Sequence, residues 1–547
     1  TGMSDESGIT TYQYDVYGSL LNKTQIIHYG KESFTHTLSY QYDNSGRLGQ
    51  TIYPSGIRIN TFYDIDGHPV EIHINDNVLM QDIVYYPFGA PKSWVWGNGQ
   101  PYNRSYDLDG RLTQHSVGTD IQTLTYDAAG HIIGTSQTNP IYNRSFEYDV
   151  LDRLIRQADN ISTRLWGYDA NSNRTHEQSG SMIFPYTLDT GSNHLLQVAG
   201  PVARIYTYDA AGNPLTDGIT HYAWDASGRL SKTMLNNKVS DNLYNGLGER
   251  LLKIGSRSAK GGPYLYFYDS TGQLIGDYEK TKGAKQTINW IPKQETIWLG
   301  DIPIAVIRQS VATEPVQVFY IYTDYLNTPR LIVNQSNAPV WRWDNVYAFG
   351  SNLPYEDPDG DGQSFEYNLR FPGQYFDKET GLHYNYFRYY EPETGRYLSS
   401  DPIGVEGGLN TYGYANGNPI NRLDPFGLSD VTFDRGRGTI IIYDNKGNRI
   451  GQFPAGNNTA SKSNGPWPNG IFPYSHYVLH PKSGPTGPYG SNGNHVFSVP
   501  GRIGMGIHSG RSGPQSKTLG CIRTTDEATE FLRKLNQIDP LRTITVK

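Results

Sequence analysis

The chain has 547 residues, with 46 Lys and Arg against 53 Asp and Glu for a net charge of −7, and that length predicts about three or four domains rather than one. Its 60 glycines and 32 prolines make up about a sixth of the chain, below the roughly one quarter that marks low-complexity disorder, and its single cysteine excludes an internal disulfide framework or a Cys-rich zinc site. No apolar run approaches the roughly 18 residues that span a bilayer, and the start Thr-Gly-Met-Ser-Asp lacks the basic and apolar regions of a signal peptide; a soluble chain is expected, and if it leaves the cell something else carries it.

The first element met along the chain is a tandem array. An aromatic–Asp–x–x–Gly unit, often followed by Arg-Leu, occurs at Tyr14-Asp15, Tyr42-Asp43, Tyr63-Asp64, Tyr106-Asp107, Tyr126-Asp127 and Tyr148-Asp149. It returns at Tyr168-Asp169, Tyr208-Asp209, Trp224-Asp225, Tyr244-Asn245 and Tyr268-Asp269. Most steps are 16 to 28 residues, and the double steps of 43 and 40 hold degenerate copies at Tyr86 and near Tyr186. Each unit reads as a hairpin: alternating side chains enter, Asp starts the turn, Gly supplies a positive φ, and a second strand leaves. One hairpin cannot bury its aromatic face, so neighbours must stack into an extended sheet. The 43 tyrosines are therefore architectural, with rings filling a sheet face and hydroxyls reaching water or a partner; a sugar-binding aromatic platform is the sharper alternative. The units resemble the YD repeats of Rhs proteins and of the C subunits of insecticidal toxin complexes. That resemblance covers roughly residues 10 to 428 and implies a hollow β-cocoon.

Further on, Asp357-Pro-Asp359-Gly-Asp361-Gly362 begins like a calcium loop, but its twelfth position is Asn368 instead of a bidentate Glu. An exposed Asp/Gly turn is expected there, without metal. From Phe365 to Leu428 the pattern becomes one continuous signature, including Phe371-Pro-Gly-Gln, Arg388-Tyr-Tyr, Gly395-Arg396, Asp401-Pro402 and Asp424-Pro425-Phe426-Gly427-Leu428. It resembles the Rhs-associated core, and the resemblance implies a plug that acts as an aspartyl autoprotease, cutting between Leu428 and Ser429. Two carboxylates brought together cannot both ionise easily, so one stays protonated as acid while the other serves as base. Asp401 and Asp424 are the candidate pair, with Arg388 holding charge near them; the alternative is that both Asp-Pro steps only make turns.

Composition then shifts. Residues 429–547 hold 14 Lys or Arg and 7 Asp or Glu, hence +7, against −14 for the remainder, which marks a domain boundary. This tail contains Cys521 and the histidines His476, His480, His495 and His508. A lone cysteine is commonly a small buried hydrophobe, but Gly506-Ile507-His508-Ser509-Gly510 and Thr518-Leu519-Gly520-Cys521-Ile522-Arg523 stand close together. Gly520 permits a sharp turn that frees backbone amides for an anionic oxygen. The run from Thr524 to Leu535 reads as a capped helix, so a thiol at its start and near Arg523 would favour thiolate, and His508 could deprotonate it. The tail resembles an L,D-transpeptidase catalytic domain throughout, from the hairpin at Gly438–Phe453 through Trp467–Tyr474 to the last strand at Arg542–Lys547. The resemblance implies Cys521 as nucleophile, His508 as its base, Ser509 orienting the imidazole, the Gly520 and Cys521 amides as oxyanion hole, and Arg523 supporting the loop or a substrate carboxylate. Leu519 and the 13-residue separation of His508 from Cys521 depart from the family pattern and put strict transpeptidation in question. The other histidines match no zinc pattern.

The expected fold class is mainly β: a YD-repeat shell over 1–350, a core plug over 351–428, and a small β-rich L,D-transpeptidase-like domain with one or two helices over 429–547. The expected function is a secreted or injected antibacterial effector whose tail, freed by self-cleavage, acts on peptidoglycan stem peptides in the target periplasm. The resemblance also implies a cognate immunity protein and an upstream secretion-system spike or adaptor. Neither a cofactor, nor nucleic acid, nor a membrane span is expected. Two rivals stay open: a nuclease tail, which the +7 charge would suit, and a non-enzymatic adhesive repeat protein.

Overall fold

In each repeat the aspartate builds its own turn. Asp43 Oδ1 accepts the backbone N–H groups of Ser45 (2.8 Å) and Arg47 (2.9 Å), Gly46 takes φ 76°, and Arg47 Nε donates to Asp43 Oδ2 at 2.7 Å. The same set recurs at Asp107–Arg111 and Asp225–Arg229, and at Asp149–Arg153 with Asp152 (φ 62°) in the glycine's place. The strand register slips by one residue at the aromatic, as between Gln41 and Tyr42 or Glu147 and Tyr148, a bulge that sharpens the local twist.

The computed structural model describes residues 2–425 except 31, 88, 201–202, 256–262, 283–287, 310–313 and 403–408. Beyond them it describes 430–434, 439–443, 449–456, 470–478, 494–497, 506–508, 522–524, 528–529, 532 and 543–546. The protein is mainly β. Among the described residues a 20-stranded sheet runs from Gly2–Asp5 to Arg204–Ile205 and a 13-stranded sheet from Thr207–Tyr208 to Pro339–Arg342. Each strand pairs antiparallel with the one before it, as Tyr14 pairs Leu20 and Tyr244 pairs Arg250.

Successive repeats are locked by one recurring contact. The Arg153 guanidinium lies 4.8 Å from the Tyr168 ring centre and donates to Asp169 O (2.8 Å), while Tyr168 Oη donates to Leu154 O (2.9 Å). Arg47 with Tyr63 and Arg229 with Tyr244 repeat it. The tyrosines are thus architectural as expected, but their hydroxyls go to the preceding unit's backbone, because the bulge turns each ring across the strand behind it. The degenerate copies are also shifted: Tyr85, not Tyr86, takes the ring position, its hydroxyl 2.9 Å from Pro69 O. Tyr86 stands where other units place aspartate, its backbone pairing with Gly89 and Ala90. In the other double step Leu188-Asp189 fills the place, with the register slip at Leu188.

The core segment is a four-stranded antiparallel sheet of Tyr375–Asp377, Leu382–Asn385, Arg388–Glu391 and Arg396–Tyr397. Its Tyr375, Leu382, Tyr384, Tyr389 and Leu398 share one buried apolar cluster with residues of both large sheets, such as Ile27 and Leu252. The ion pairs Arg250–Asp377 (2.5 Å) and Lys253–Asp377 (2.9 Å) tie it to the repeats. It also rests on a row of repeat turns: Asn418 donates to Asp152 O, Asn410 to Ser172 O and Tyr412 to Gly212 O, at 2.7, 3.0 and 2.7 Å.

The last strands close into an eight-stranded barrel. Gly506–His508 and Ile522–Thr524 run parallel within it, Ile507 facing Ile522 and His508 facing Arg523. The expected helix starts at Thr524, which is instead the last residue of a strand. Thr524 ends a strand and is buried, and among the described residues Ala528, Thr529 and Leu532 are helical. Cys521 is therefore followed by a strand and not by the first turn of a helix, which removes the helix-terminus argument for its thiolate.

Candidate active site

Arg388 opens the third strand of the core sheet, across a two-residue turn from Asn385. Tyr386 occupies that turn at φ 59°, and the geometry carries the guanidinium inward. Arg388 Nη1 lies 3.2 Å from Asp401 Oδ2 and Nη2 lies 3.3 Å from Asp424 Oδ2. The three residues are almost without solvent contact, at 1%, 4% and 3% exposure, and the Arg388 guanidinium bridges the two buried carboxylates. The sequence placed these residues 36 positions apart at most; the fold brings them together.

Neighbouring groups orient the cluster. Tyr397 Oη donates to Asp424 Oδ2 at 2.7 Å, and burial together with the Asp424 charge pushes its phenol well above the usual tyrosine range, so it keeps its proton and acts as donor. The Arg388 guanidinium stacks 3.6 Å from the Tyr397 ring centre. Asn385 Nδ2 donates to Tyr397 Oη (2.7 Å) and to Asp424 O (2.9 Å). On the Asp401 side, Asp401 N donates to Thr411 O at 2.8 Å, and Arg388 Nη1 lies 3.4 Å from the same oxygen. Gly373, at φ 84°, lies so close to the Asp424-Pro425 backbone that a Cβ would stand 1.8 Å from Pro425 O; only glycine admits the passing segment. Tyr397, Asn385 and Gly373 were not picked out from sequence, because their roles depend on contacts with a segment 27 to 52 residues away.

Other sites named from sequence fare differently. Leu428, Ser429, Ser509, Gly520 and Cys521 lie outside the described residues, and of His508 and Arg523 the backbone pairing alone is described. His480 is also outside them. His495 is fully buried, on the strand Asn494–Phe497 beside Gly506–His508. The carboxylates of Asp357, Asp359 and Asp361 come within 4.8 Å of one another in a largely exposed turn. Asn368, the twelfth position, is buried away from them and donates to Glu366 Oε1 and Tyr375 Oη.

A meandering antiparallel sheet of Asp-turn hairpins, closed on a core sheet with an Arg-bridged aspartate pair, defines a YD-repeat shell protein. The Teneurin YD-shell family model matches residues 138–420, and the chain belongs to that family. It is similar to the double-stranded DNA deaminase toxin A of Burkholderia cenocepacia, 26% identical over 59% of this chain and 20% of that protein. It is also similar to the probable deoxyribonuclease RhsA of Dickeya dadantii, 27% identical over 72% and 26% of the two chains. The toxin protein Tse5 of Pseudomonas aeruginosa matches at 28% identity over 59% and 25%. The chain thus spans between a fifth and about a quarter of the length of these relatives. Among solved structures, a chain of the TcdB2-TccC3-TEV crystal structure shares the fold at a TM-score of 0.65 and 20% identity, over 78% of this chain and 24% of that one. No helix among the described residues is long and apolar enough to cross a membrane.

Proposed function

We propose that the chain is part of a secreted, Rhs-type antibacterial toxin that processes itself: a repeat shell over 1–350, a core over 351–428 with aspartyl autoprotease activity, and a released tail over 429–547. The observation that carries the cleavage reading is the buried Asp401–Arg388–Asp424 cluster. In this reading two desolvated carboxylates on the Arg388 guanidinium divide the work, one as acid and the other as base. The ionised carboxylate takes a proton from water as it attacks the Leu428 carbonyl, the protonated partner supplies the proton to the departing Ser429 nitrogen, and the peptide bond between them breaks. Wild-type chain should migrate as fragments of 428 and 119 residues; recovery of an uncut chain under native conditions would refute the reading.

For the tail we propose a cysteine L,D-transpeptidase or L,D-carboxypeptidase. Supporting it are the order of the sequence motifs and the barrel in which the strand ending at His508 pairs parallel with the strand that follows Cys521. Cys521 would attack the carbonyl between the third-position diamino acid and D-alanine, D-alanine would leave, and water or an amine would resolve the acyl-enzyme. Mass spectrometry of muropeptides incubated with the released tail should show trimmed or exchanged stems, and Cys521→Ala should leave them intact. A second reading has its own support: relatives of the shell include proteins named as a DNA deaminase toxin and as probable deoxyribonucleases, and the tail is basic. Toxicity from cytosolic expression, with intact muropeptides, would favour a nucleic-acid target; toxicity confined to the periplasm favours the wall. An immunity protein and a secretion-system adaptor are the partners this reading requires.

A further inference from the structure

Three consecutive repeat turns carry a left-handed glycine, Gly212 (φ 83°), Gly228 (φ 73°) and Gly248 (φ 85°), yet they face different surroundings. A Cβ on Gly228 would meet nothing within 4 Å. On Gly212 it would stand 2.6 Å from the Tyr412 hydroxyl oxygen, and on Gly248 2.6 Å from the Phe387 ring. Tyr412 Oη also donates to Gly212 O at 2.7 Å, and Tyr384 Oη to Gly248 O at 3.0 Å. Both contacted aromatics adjoin the parts that hold the carboxylate pair. Tyr412 follows Thr411, whose carbonyl accepts Asp401 N and lies 3.4 Å from Arg388 Nη1; Phe387 precedes Arg388 itself. Asn410, on the other side of Thr411, is held by Ser172 O of an earlier repeat turn at 3.0 Å.

We propose that the repeat turns at Gly212 and Gly248 form a conformational check on self-cleavage: by seating Tyr412 and Phe387 they bring Asp401 and Arg388 into register with Asp424, so the chain is cut only after the sheet has closed on the core. This rests on the cleavage reading above. The chemistry needs it because an Arg-bridged pair displaced by about an ångström loses much of its rate, and the loops that hold it have their anchors in the repeats and not in the core alone. The order of events protects the carrier, since a tail cannot be severed before the sheet that precedes it has folded.

The test uses the full chain, pulse-labelled during cell-free synthesis, with the cut followed on denaturing gels and sheet closure by resistance to an added protease. In the wild type, protease resistance should come first and cleavage after it. Gly212→Ala and Gly248→Ala should lengthen the cleavage half-time at least about tenfold, while Gly228→Ala, with the same backbone demand and open space, should cut at the wild-type rate. All three should reach the same final protease resistance. Should either touching variant fail to fold, Tyr412→Phe, which removes the hydroxyl that donates to Gly212 O, carries the same expectation. Cleavage ahead of protease resistance, or equal rates in the three glycine variants, overturns the check. Cleavage in Asp401→Asn overturns instead the reading on which it rests, so the two failures are told apart.

Discussion

Aspartate and arginine do two different jobs in this molecule. In four of the repeats, at Asp43, Asp107, Asp149 and Asp225, the aspartate has its own arginine four residues later, both partly open to water: Asp43 and Arg47 are 29% and 26% exposed at the side chain. The carboxylate there also accepts two backbone N–H groups, so charge and hydrogen-bond capacity are matched within five residues. Hydrogen bonds and the nearby guanidinium hold Asp43, Asp107 and Asp149 below the usual carboxylate range despite their partial burial. In the core, one arginine faces two aspartates, all three buried. The repeat pair is neutral and satisfied, hence structural; the core set places two carboxylates on one guanidinium away from water, the surroundings in which proton affinities are most readily perturbed.

The sharpest way to break this contrast is to neutralise one aspartate of each kind. Asp401→Asn or Asp424→Asn should leave the chain whole, because an amide can neither take a proton from water nor return one, whereas Asp149→Asn should still be cut. The measurement is the intact mass of purified protein. If Asp149→Asn blocks the cut as fully as Asp424→Asn does, the core aspartates have no special role.

A smaller effect is expected at Tyr397. Tyr397→Phe removes one donor from Asp424 Oδ2 while keeping the ring under Arg388. The ionised form of Asp424 then loses stabilisation, its proton is held to higher pH, and the acid limb of the cleavage-rate profile should move upward in pH, with a rate fall of about tenfold near neutrality. A merely structural role would lower the rate at every pH without moving that limb, so the profile decides between them.

The repeats were legible in sequence because every element of the turn lies within five residues: in units such as Tyr42 and Tyr106 the aspartate, the left-handed glycine and the arginine act locally, and the period follows. What could not be read was anything joined across long separations. The Tyr168 hydroxyl finds Leu154 O only after the bulge sets the ring's direction, and the choice of Tyr85 over Tyr86 depends on the register of a neighbouring strand. In the core, Arg388, Asp401 and Asp424 were reachable through the resemblance of their motifs, yet Asn385, Tyr397 and Gly373 are defined by three-dimensional closeness to Asp424-Pro425. Thr524 reads as a helix cap for a related reason: it has a capping side chain, but it ends the strand Ile522–Thr524, which pairs parallel with Gly506–His508, and its own backbone pairs antiparallel with Ala455.

Stability provides the next test. Arg229→Ala removes the ion pair with Asp225, the bond to Asn245 O and the stacking on Tyr244. The pair is about a quarter exposed, so its electrostatic part is modest, and the total loss should be about 1–3 kcal/mol in denaturant unfolding. Cleavage should persist, since Tyr244 itself, whose hydroxyl lies 2.9 Å from Tyr389 Oη of the core sheet, is left in place. A cleavage defect as large as that of Asp424→Asn would erase the division between structural and chemical arginines.

The smallest expected effect concerns pH, and here the two kinds of carboxylate differ in sign. Burial raises the proton affinity of Asp277, which accepts Tyr375 Oη at 3.0 Å. Its folded form therefore keeps a proton that the unfolded chain has released, so its stabilising contribution is whole below the unfolded value and is lost as pH rises through the folded one. Asp149 is shifted the other way by Arg153 and backbone donors; its contribution is present above the unfolded value and is lost as pH falls through the folded one. Asp277→Asn keeps an oxygen for Tyr375 and should flatten the decline of unfolding free energy with rising pH, while Asp149→Asn should flatten the decline on the acid side. Urea midpoints measured from pH 3 upward would reveal which limb each substitution removes. Opposite slopes would mean that the chain uses buried carboxylates as proton reservoirs in its interior and charged ones at its turns, and equal slopes would mean that burial depth does not separate them.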